Sequence, residues 1–283
     1  MKKITDELLD LDILHKKAVP IYKKASQIAL ENFDKGHLNY EIKTEEKVTS
    51  IVTDVDKKIN EMLTNDLKKL IPGSGVFSEE GERKLSGKHN WVIDPIDGTG
   101  NYQKSVDLWG TAISLWDQTW TVYATLLYPT SMNKMYYGVL GKGVYDENDH
   151  KLQMQKTGIF KIMFSIDTPN QALKSSLLSL DFEHKTSYKS TGSTVYDGYN
   201  ILKGGYDFMV TYDLDIYDVD AIHFLAKELG YVVDLMGNET TLYSNNLRNS
   251  TFKSLIAKPD VYDIVAPKIK KCIKEYEDSK SNK

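Results

Sequence analysis

Carboxylates collect at the ends of apolar runs in this chain. Trp91-Val92-Ile93-Asp94-Pro95-Ile96-Asp97-Gly98-Thr99 sets two aspartates just past a strand-like run, with proline between them and glycine after. Phe77-Ser78-Glu79-Glu80-Gly81 repeats the pattern upstream, and Asp54 and Asp56 follow Val52-Thr53. Asp213, Asp215, Asp218 and Asp220 crowd together ahead of a helical segment. Carboxylates that meet in one place repel one another unless they are protonated or bridged by cations. Oxygen ligands select hard ions, and magnesium fits best, because it binds through a few carboxylates and keeps waters and phosphate oxygens as its other ligands. No Cys/His cluster offers zinc a site. Each pair alone has a plainer reading: Asp-Gly and Glu-Gly pairs make turns, Asp218 suits a helix cap, and Asp213 and Asp215 suit a solvated loop.

To converge, these residues need elements that carry them. Leu8, Leu11 and Leu14 open an apolar stripe that Ile21, Ala25, Ile28 and Ala29 continue at helical spacing. Pro20 predicts two helices there or one kinked helix, and Gly36 its end. The polar stretch 37–50 reads as a hairpin or a mobile loop. Ile59, Met62, Leu63, Leu67 and Leu70 share a face of the next helix, which Pro72-Gly73 stops. Short strands follow at Val76-Phe77-Ser78 and Trp91-Val92-Ile93, the second ending in a rigid turn at Pro95. Residues 109–155 read as an antiparallel meander, broken at Asp117-Gln118, Pro129-Thr130, Gly141-Lys142-Gly143 and Glu147-Asn148-Asp149. Helices are expected near 169–180 and 192–203, the latter ended by Gly204-Gly205, and a strand at 206–212. An amphipathic helix is expected from Val219 to Leu229, and a last helix from about 260 with a Lys-rich tail. This order predicts α+β layers in one domain over 1–283, with two subdomains, 1–155 and 156–283.

The 283 residues are enough to bury a real core, and 41 % hydrophobic with 27 % charged residues is ordinary for a globular chain. A net charge of −4 argues against a general nucleic-acid binder. The single cysteine, Cys272, allows no intrachain disulfide and suits a reducing compartment. No apolar run approaches a membrane span and the N-terminus lacks a signal-peptide core, so no membrane partner and a cytoplasmic location are the expectation.

Asp94-Pro95-Ile96-Asp97-Gly98-Thr99, preceded by Asp56 and Glu79-Glu80 and followed by Asp218, resembles the inositol monophosphatase family of magnesium-dependent phosphatases. The resemblance runs from about residue 10 to the C-terminus and is strongest over 76–102. It implies a layered α-β-α-β-α sandwich of the inositol monophosphatase and fructose-1,6-bisphosphatase type, a homodimer, and hydrolysis of a small phosphorylated metabolite. It also implies two or three magnesium ions: Glu79, Asp94 and the Ile96 carbonyl hold one, Asp94, Asp97 and Asp218 a second, and a third leans on Glu79. Thr99 and Asp56 then help deprotonate the attacking water, with Glu79 beside them, while the Gly98 and Thr99 amides meet the phosphate. Gly192-Ser193-Thr194 is similar to the family's pocket-lining stretch. Thr211 stands where inositol-specific relatives carry a sugar-binding glutamate, with Asp213 a substitute two residues away. Gly100, Ser50 and Tyr217 replace a usual threonine, aspartate and tryptophan. Lys43 or Lys47 stands for the family's flap lysine. An inositol phosphate is the first substrate this implies; a 3′-phosphonucleotide, NADP or fructose-1,6-bisphosphate is the alternative, and a non-catalytic metal- or phosphate-binding scaffold the reading of another class.

Overall fold

Apolar spacing at three and four residues builds an outer helical layer. The helix α1 (Leu11–Phe33) buries Leu14, Ala18, Tyr22, Ala25 and Ala29, and α2 (Asp54–Leu70) buries Val55, Ile59, Leu63 and Leu67. The computed structural model describes residues 9–33, 40–45, 48–117, 121–128, 133–155, 162–236 and 251–281. Within it α1 runs as one helix through Pro20. Pro20 lies on the solvent side, where the carbonyl that its missing N–H leaves unpaired can turn to water. Leu8, Gly36, Lys47, Gln118, Pro129, Thr130 and the side chains of Lys43 and Ser50 lie outside the described residues. The stretch ahead of α2 is a hairpin, with β1 (Tyr40–Glu45) antiparallel to β2 (Val48–Thr53).

The first sheet orders its strands β4-β3-β5-β6-β7-β8-β9. They are β3 (Gly75–Ser78), β4 (Arg83–Lys84), β5 (Asn90–Asp97), β6 (Gly110–Trp116), β7 (Thr121–Tyr128), β8 (Lys134–Val139) and β9 (Gly143–Asp146). All neighbours are antiparallel except β3 and β5, so the expected meander is present from β6 to β9. Trp91, Ile93, Ile113, Leu115 and Tyr123 pack toward α1 and α2. The other face offers small residues: Ala112, Ala124 and Gly138, where an added Cβ would come 2.7 Å from Leu225 Cδ2. A helix can therefore lie close against it.

That helix is α6 (Ile216–Leu229), beside α5 (Thr194–Leu202). It begins earlier than Val219 and is not amphipathic: Ile216, Tyr217 and every residue from 219 to 226 are buried. The reason is its place between two sheets. Beyond it the second sheet orders β11-β10-β12-β14-β13, made of β10 (Ile162–Asp167), β11 (Thr186–Lys189), β12 (Phe208–Leu214), β13 (Val232–Asp234) and β14 (Phe252–Ala257). The helices α4 (Gln171–Leu178) and α7 (Pro259–Ser281) close the far side, over Phe164, Phe208 and Leu255. Five layers result, α-β-α-β-α, as expected. A short helix, α3 (Thr99–Gln103), follows β5.

One buried carboxylate stitches two layers, and another ties strands of the second sheet together. Asp220 on α6 accepts from Ser114 Oγ, from Trp116 Nε1 at 2.7 Å and from Thr121 Oγ1 at 2.8 Å, all on the first sheet. Asp207 accepts from Lys258 Nζ at 2.8 Å and from the Met163 N–H at 2.8 Å, with both side chains buried. Among the described residues no helix is long and apolar enough to cross a membrane.

Candidate metal centre

Asp94 and Asp97 are three residues apart, so in an unbroken strand their side chains would leave on opposite faces. The pairing of β5 with β6 sets Asp94 against Ala112 and Asp97 against Gly110, so Pro95 and Ile96 together oppose Thr111 alone. That β-bulge shifts the alternation by one. Ile96 accordingly packs with Trp91 and Ile93 on the α1/α2 side, and both carboxylates face α6. Pro95 suits the irregularity, having no N–H for the ladder, and its carbonyl accepts from Thr111 Oγ1 at 2.8 Å. The turn expected at Pro95 is thus a bulge inside a strand that runs on to Asp97. Gly98 then takes φ 81°, and a Cβ there would sit 2.9 Å from the Leu108 carbonyl and 3.0 Å from Ser193 Cβ.

Asp218 arrives from the first turn of α6. One carboxylate oxygen from each of Asp94, Asp97 and Asp218 lies within 4.8 Å of the others. Asp218 is also a cap: its Oδ2 accepts the Asp215 N–H at 2.9 Å in a reciprocal capping box. The Tyr217 hydroxyl donates to Asp215 at 2.6 Å and receives Arg83 Nη2 at 3.3 Å. Asp97 is held from α5, by the Ser193 hydroxyl, by the Val195 N–H at 2.8 Å and by the Thr194 N–H at 3.2 Å.

Asp94 Oδ1 is different: it is buried with no hydrogen-bond partner among the described residues. An ionised oxygen in that position is costly without a compensating charge. Burial, and then the charges of Glu79, Asp97, Asp218 and Asp56, push Asp94 well above the usual carboxylate range. Burial with Glu79 and Asp97 does the same to Asp218, and burial raises Asp97 to about 7 against the pull of Ser193. An all-oxygen set with an orphaned buried atom fits a hard divalent cation. Glu79 stands outside the group of three, past the end of β3, where its N–H meets the Ile93 carbonyl at 3.2 Å.

Asp56 is fully buried and caps α2 with Thr53. Its Oδ1 lies 3.3 Å from Thr99 Oγ1, which is 2.9 Å from the Ile96 carbonyl. The structure thus brings Asp56, Thr99 and the Ile96 carbonyl together. Burial raises Asp56 to about 6. Asn101 Nδ2 donates to the carbonyls of Leu108 at 2.7 Å and Thr191 at 2.8 Å, tying the loop after α3 to the loop before α5.

Gly192, Ser193 and Thr194 do come to the centre, although Ser193 and Thr194 spend their donors on carboxylates. Thr211 does not. It has no exposed surface, and its hydroxyl pairs with Ser254 Oγ at 2.7 Å, which in turn meets His223 Nε2 at 2.8 Å. Asp213 sits in an exposed bulge at φ 64°, accepting from Thr251 Oγ1 at 2.7 Å. Sequence reasoning passed over Asp167, whose Oδ2 accepts from Thr194 Oγ1 at 2.6 Å. The same signal, a strand ending in a carboxylate, was there to be read in 162–167.

The profile of the inositol monophosphatase family matches residues 10–271. An inositol-1-monophosphatase of Bacillus subtilis is 24 % identical over 74 % of this chain and 82 % of its own length. A histidinol-phosphatase of Chlorobaculum parvum is 27 % identical over 45 % of this chain and 48 % of its own. The fold is that of a solved Thermotoga maritima IMPase, with a TM-score of 0.78 at 18 % identity, covering 94 % of this chain and 98 % of that one.

Proposed function

The chain belongs to the inositol monophosphatase family, a family of phosphatases, and from that premise we propose that it hydrolyses a small phosphate monoester, an inositol-phosphate-type ester first, with magnesium as its ion. The observation that carries this reading is the orphaned Asp94 oxygen inside a cluster of three carboxylates, close to the Thr99–Asp56 pair. Asp94, Asp97 and Asp218 would hold the metal, with Glu79 and the Ile96 carbonyl completing a second position. When bound, magnesium supplies the positive charge that offsets a phosphate dianion and makes a neighbouring water more acidic. Thr99 Oγ1 lies between the Ile96 carbonyl and Asp56 Oδ1. From there the hydroxyl orients the attacking water and hands a proton to Asp56, whose raised pKa makes it a base suited to near-neutral pH. The amides of Gly98 and Thr99, freed by the left-handed turn at Gly98, receive the phosphate oxygens.

The test is phosphate release with and without magnesium from inositol 1-phosphate, fructose-1,6-bisphosphate, 3′-phosphoadenosine 5′-phosphate and NADP. Magnesium-dependent release, greatest from inositol 1-phosphate, is expected. Magnesium binding without release from any of them would overturn the reading in favour of a non-catalytic scaffold.

A further inference from the structure

Thr194 bridges two carboxylates. Its N–H donates to Asp97 Oδ1 at 3.2 Å and its hydroxyl to Asp167 Oδ2 at 2.6 Å. A carboxylate outside the metal cluster is thereby fixed one residue away from it. Asp167 ends β10, and the register sets it beside Thr211 of β12. Side chains level with each other on paired parallel strands share a face of the sheet. Here that face is the one toward the middle helices, since Asp167 meets Thr194 of α5 and Thr211 leads through Ser254 to His223 of α6.

The two neighbours differ in access. Thr211 is sealed and its hydroxyl is engaged. Asp167 is partly exposed, and its Oδ1 accepts no hydrogen bond from any described residue. A carboxylate oxygen is thus left without a donor one strand over from the sealed threonine, on a side chain joined through Thr194 to Asp97. Its charge is felt within the cluster, where it helps to hold up both Asp97 and Asp218. Burial pushes the Asp167 carboxyl above the usual carboxylate range, and the Thr194 hydrogen bond and the charge of Lys174, whose own Nζ is bonded to Ser190, pull it back toward the ionised form.

We propose that Asp167, oriented by Thr194, reads the leaving alcohol: its open oxygen accepts a hydrogen bond from a hydroxyl or ammonium group next to the ester, and its charge disfavours a second phosphate at that place. The class selected is the monophosphate of a polyol or amino alcohol. A carboxylate accepts from either donor, and it opposes an anion by like charge. This inference rests on the phosphatase reading above.

Isothermal titration tests it on the full chain with magnesium, in a Thr99→Ala background that slows turnover. The titrants are inorganic phosphate, inositol 1-phosphate, phosphoethanolamine and 2,3-bisphosphoglycerate. With Asp167 present, one of the two monoesters should bind at least about tenfold tighter than inorganic phosphate, a difference that one good hydrogen bond to a charged group supplies. Asp167→Ala should remove that advantage. Asp167→Asn, whose single oxygen can serve Thr194 while its NH2 takes the open place, should spare a hydroxyl, which can accept from that NH2, more than an ammonium, which cannot, and this tells the two sources apart. In both variants 2,3-bisphosphoglycerate should tighten relative to inorganic phosphate. Equal weakening of all four ligands would overturn the proposal and leave Asp167 a prop for Thr194, as would a parent chain that binds neither monoester better than phosphate. Absence of phosphate release from the wild-type chain would count against the phosphatase reading alone, because the binding comparison is still read.

Discussion

Ser193→Ala separates two jobs done by one hydroxyl. Ser193 Oγ accepts the Tyr196 N–H at 3.1 Å as the N-cap of α5, and it donates to Asp97 Oδ2. Loss of a serine cap costs about 1 kcal/mol. A hydrogen bond to a charged group contributes roughly 1.5–3 kcal/mol, and the lower end applies, because Asp97 keeps the amides of Thr194 and Val195. The sum is about 2.5 kcal/mol, to be measured by urea unfolding at pH 8 with the metals chelated. Below pH 7 the loss should shrink, since burial raises Asp97 to about 7 and its protonated form gains less from the donor. Removing a partner of a metal ligand weakens metal affinity by roughly ten- to a hundredfold, so the magnesium needed for half-maximal phosphate release should rise about tenfold. Ser193→Thr, which retains an Oγ, should recover both quantities. If Ser193→Ala loses only about the 1 kcal/mol of a cap and its magnesium midpoint does not move, Asp97 is not held through this hydroxyl.

Asp97→Asn keeps the shape and removes a ligand charge, so phosphate release should fall by more than about a hundredfold while the circular dichroism stays native; wild-type rates at low and high magnesium would refute the metal role. The metal-free protein should lose thermal stability as pH rises from 6.5 to 8. Asp97 is raised to about 7 and Asp197 to about 8, both first of all by burial, so the folded state binds more protons than the unfolded one and stability is lost as pH climbs through those values. His15 and His223, lowered by burial to about 4 and about 3, act the opposite way, and only below 6.5. Saturating magnesium should flatten the slope between pH 6.5 and 8; an equal slope with and without the ion would count against the cluster as its cause. Lys258→Met leaves Asp207 as a buried lone charge and should cost about 3–5 kcal/mol in chemical denaturation. The double variant with Asp207→Asn should recover part of that loss, and a double variant as unstable as the single one would show that lost packing dominates.

Local signals sufficed for much of this. Helical spacing found α1 and α2, alternation and turn residues found the meander, and carboxylates at a strand end pointed to Asp94 and Asp97. What stayed hidden depends on partners distant in the chain. Pro95 reads locally as a turn, and only the register against Thr111 makes it a bulge that turns two aspartates to one side. From Val219 to Leu229 the sequence looks amphipathic until a second sheet covers the face left over. Thr211 aligns with a substrate contact, yet Ser254, in a strand it pairs with, has taken its hydroxyl. Ser193 and Thr194 drew attention in the sequence, but their engagement with Asp97 and Asp167 requires α5 to be docked.

The three clustered carboxylates belong to different layers: Asp94 and Asp97 to the first sheet, Asp218 to the helix packed against it. A cation held by all three would act as a rivet through the molecule, closing a long loop of chain that folding must otherwise close by packing alone. Ion occupancy would then set the mechanical unity of the protein as well as its chemistry. Chelation should loosen the contact of α6 with β5 before it disturbs the far side of either sheet, and amide exchange at the start of α6 would report on that first.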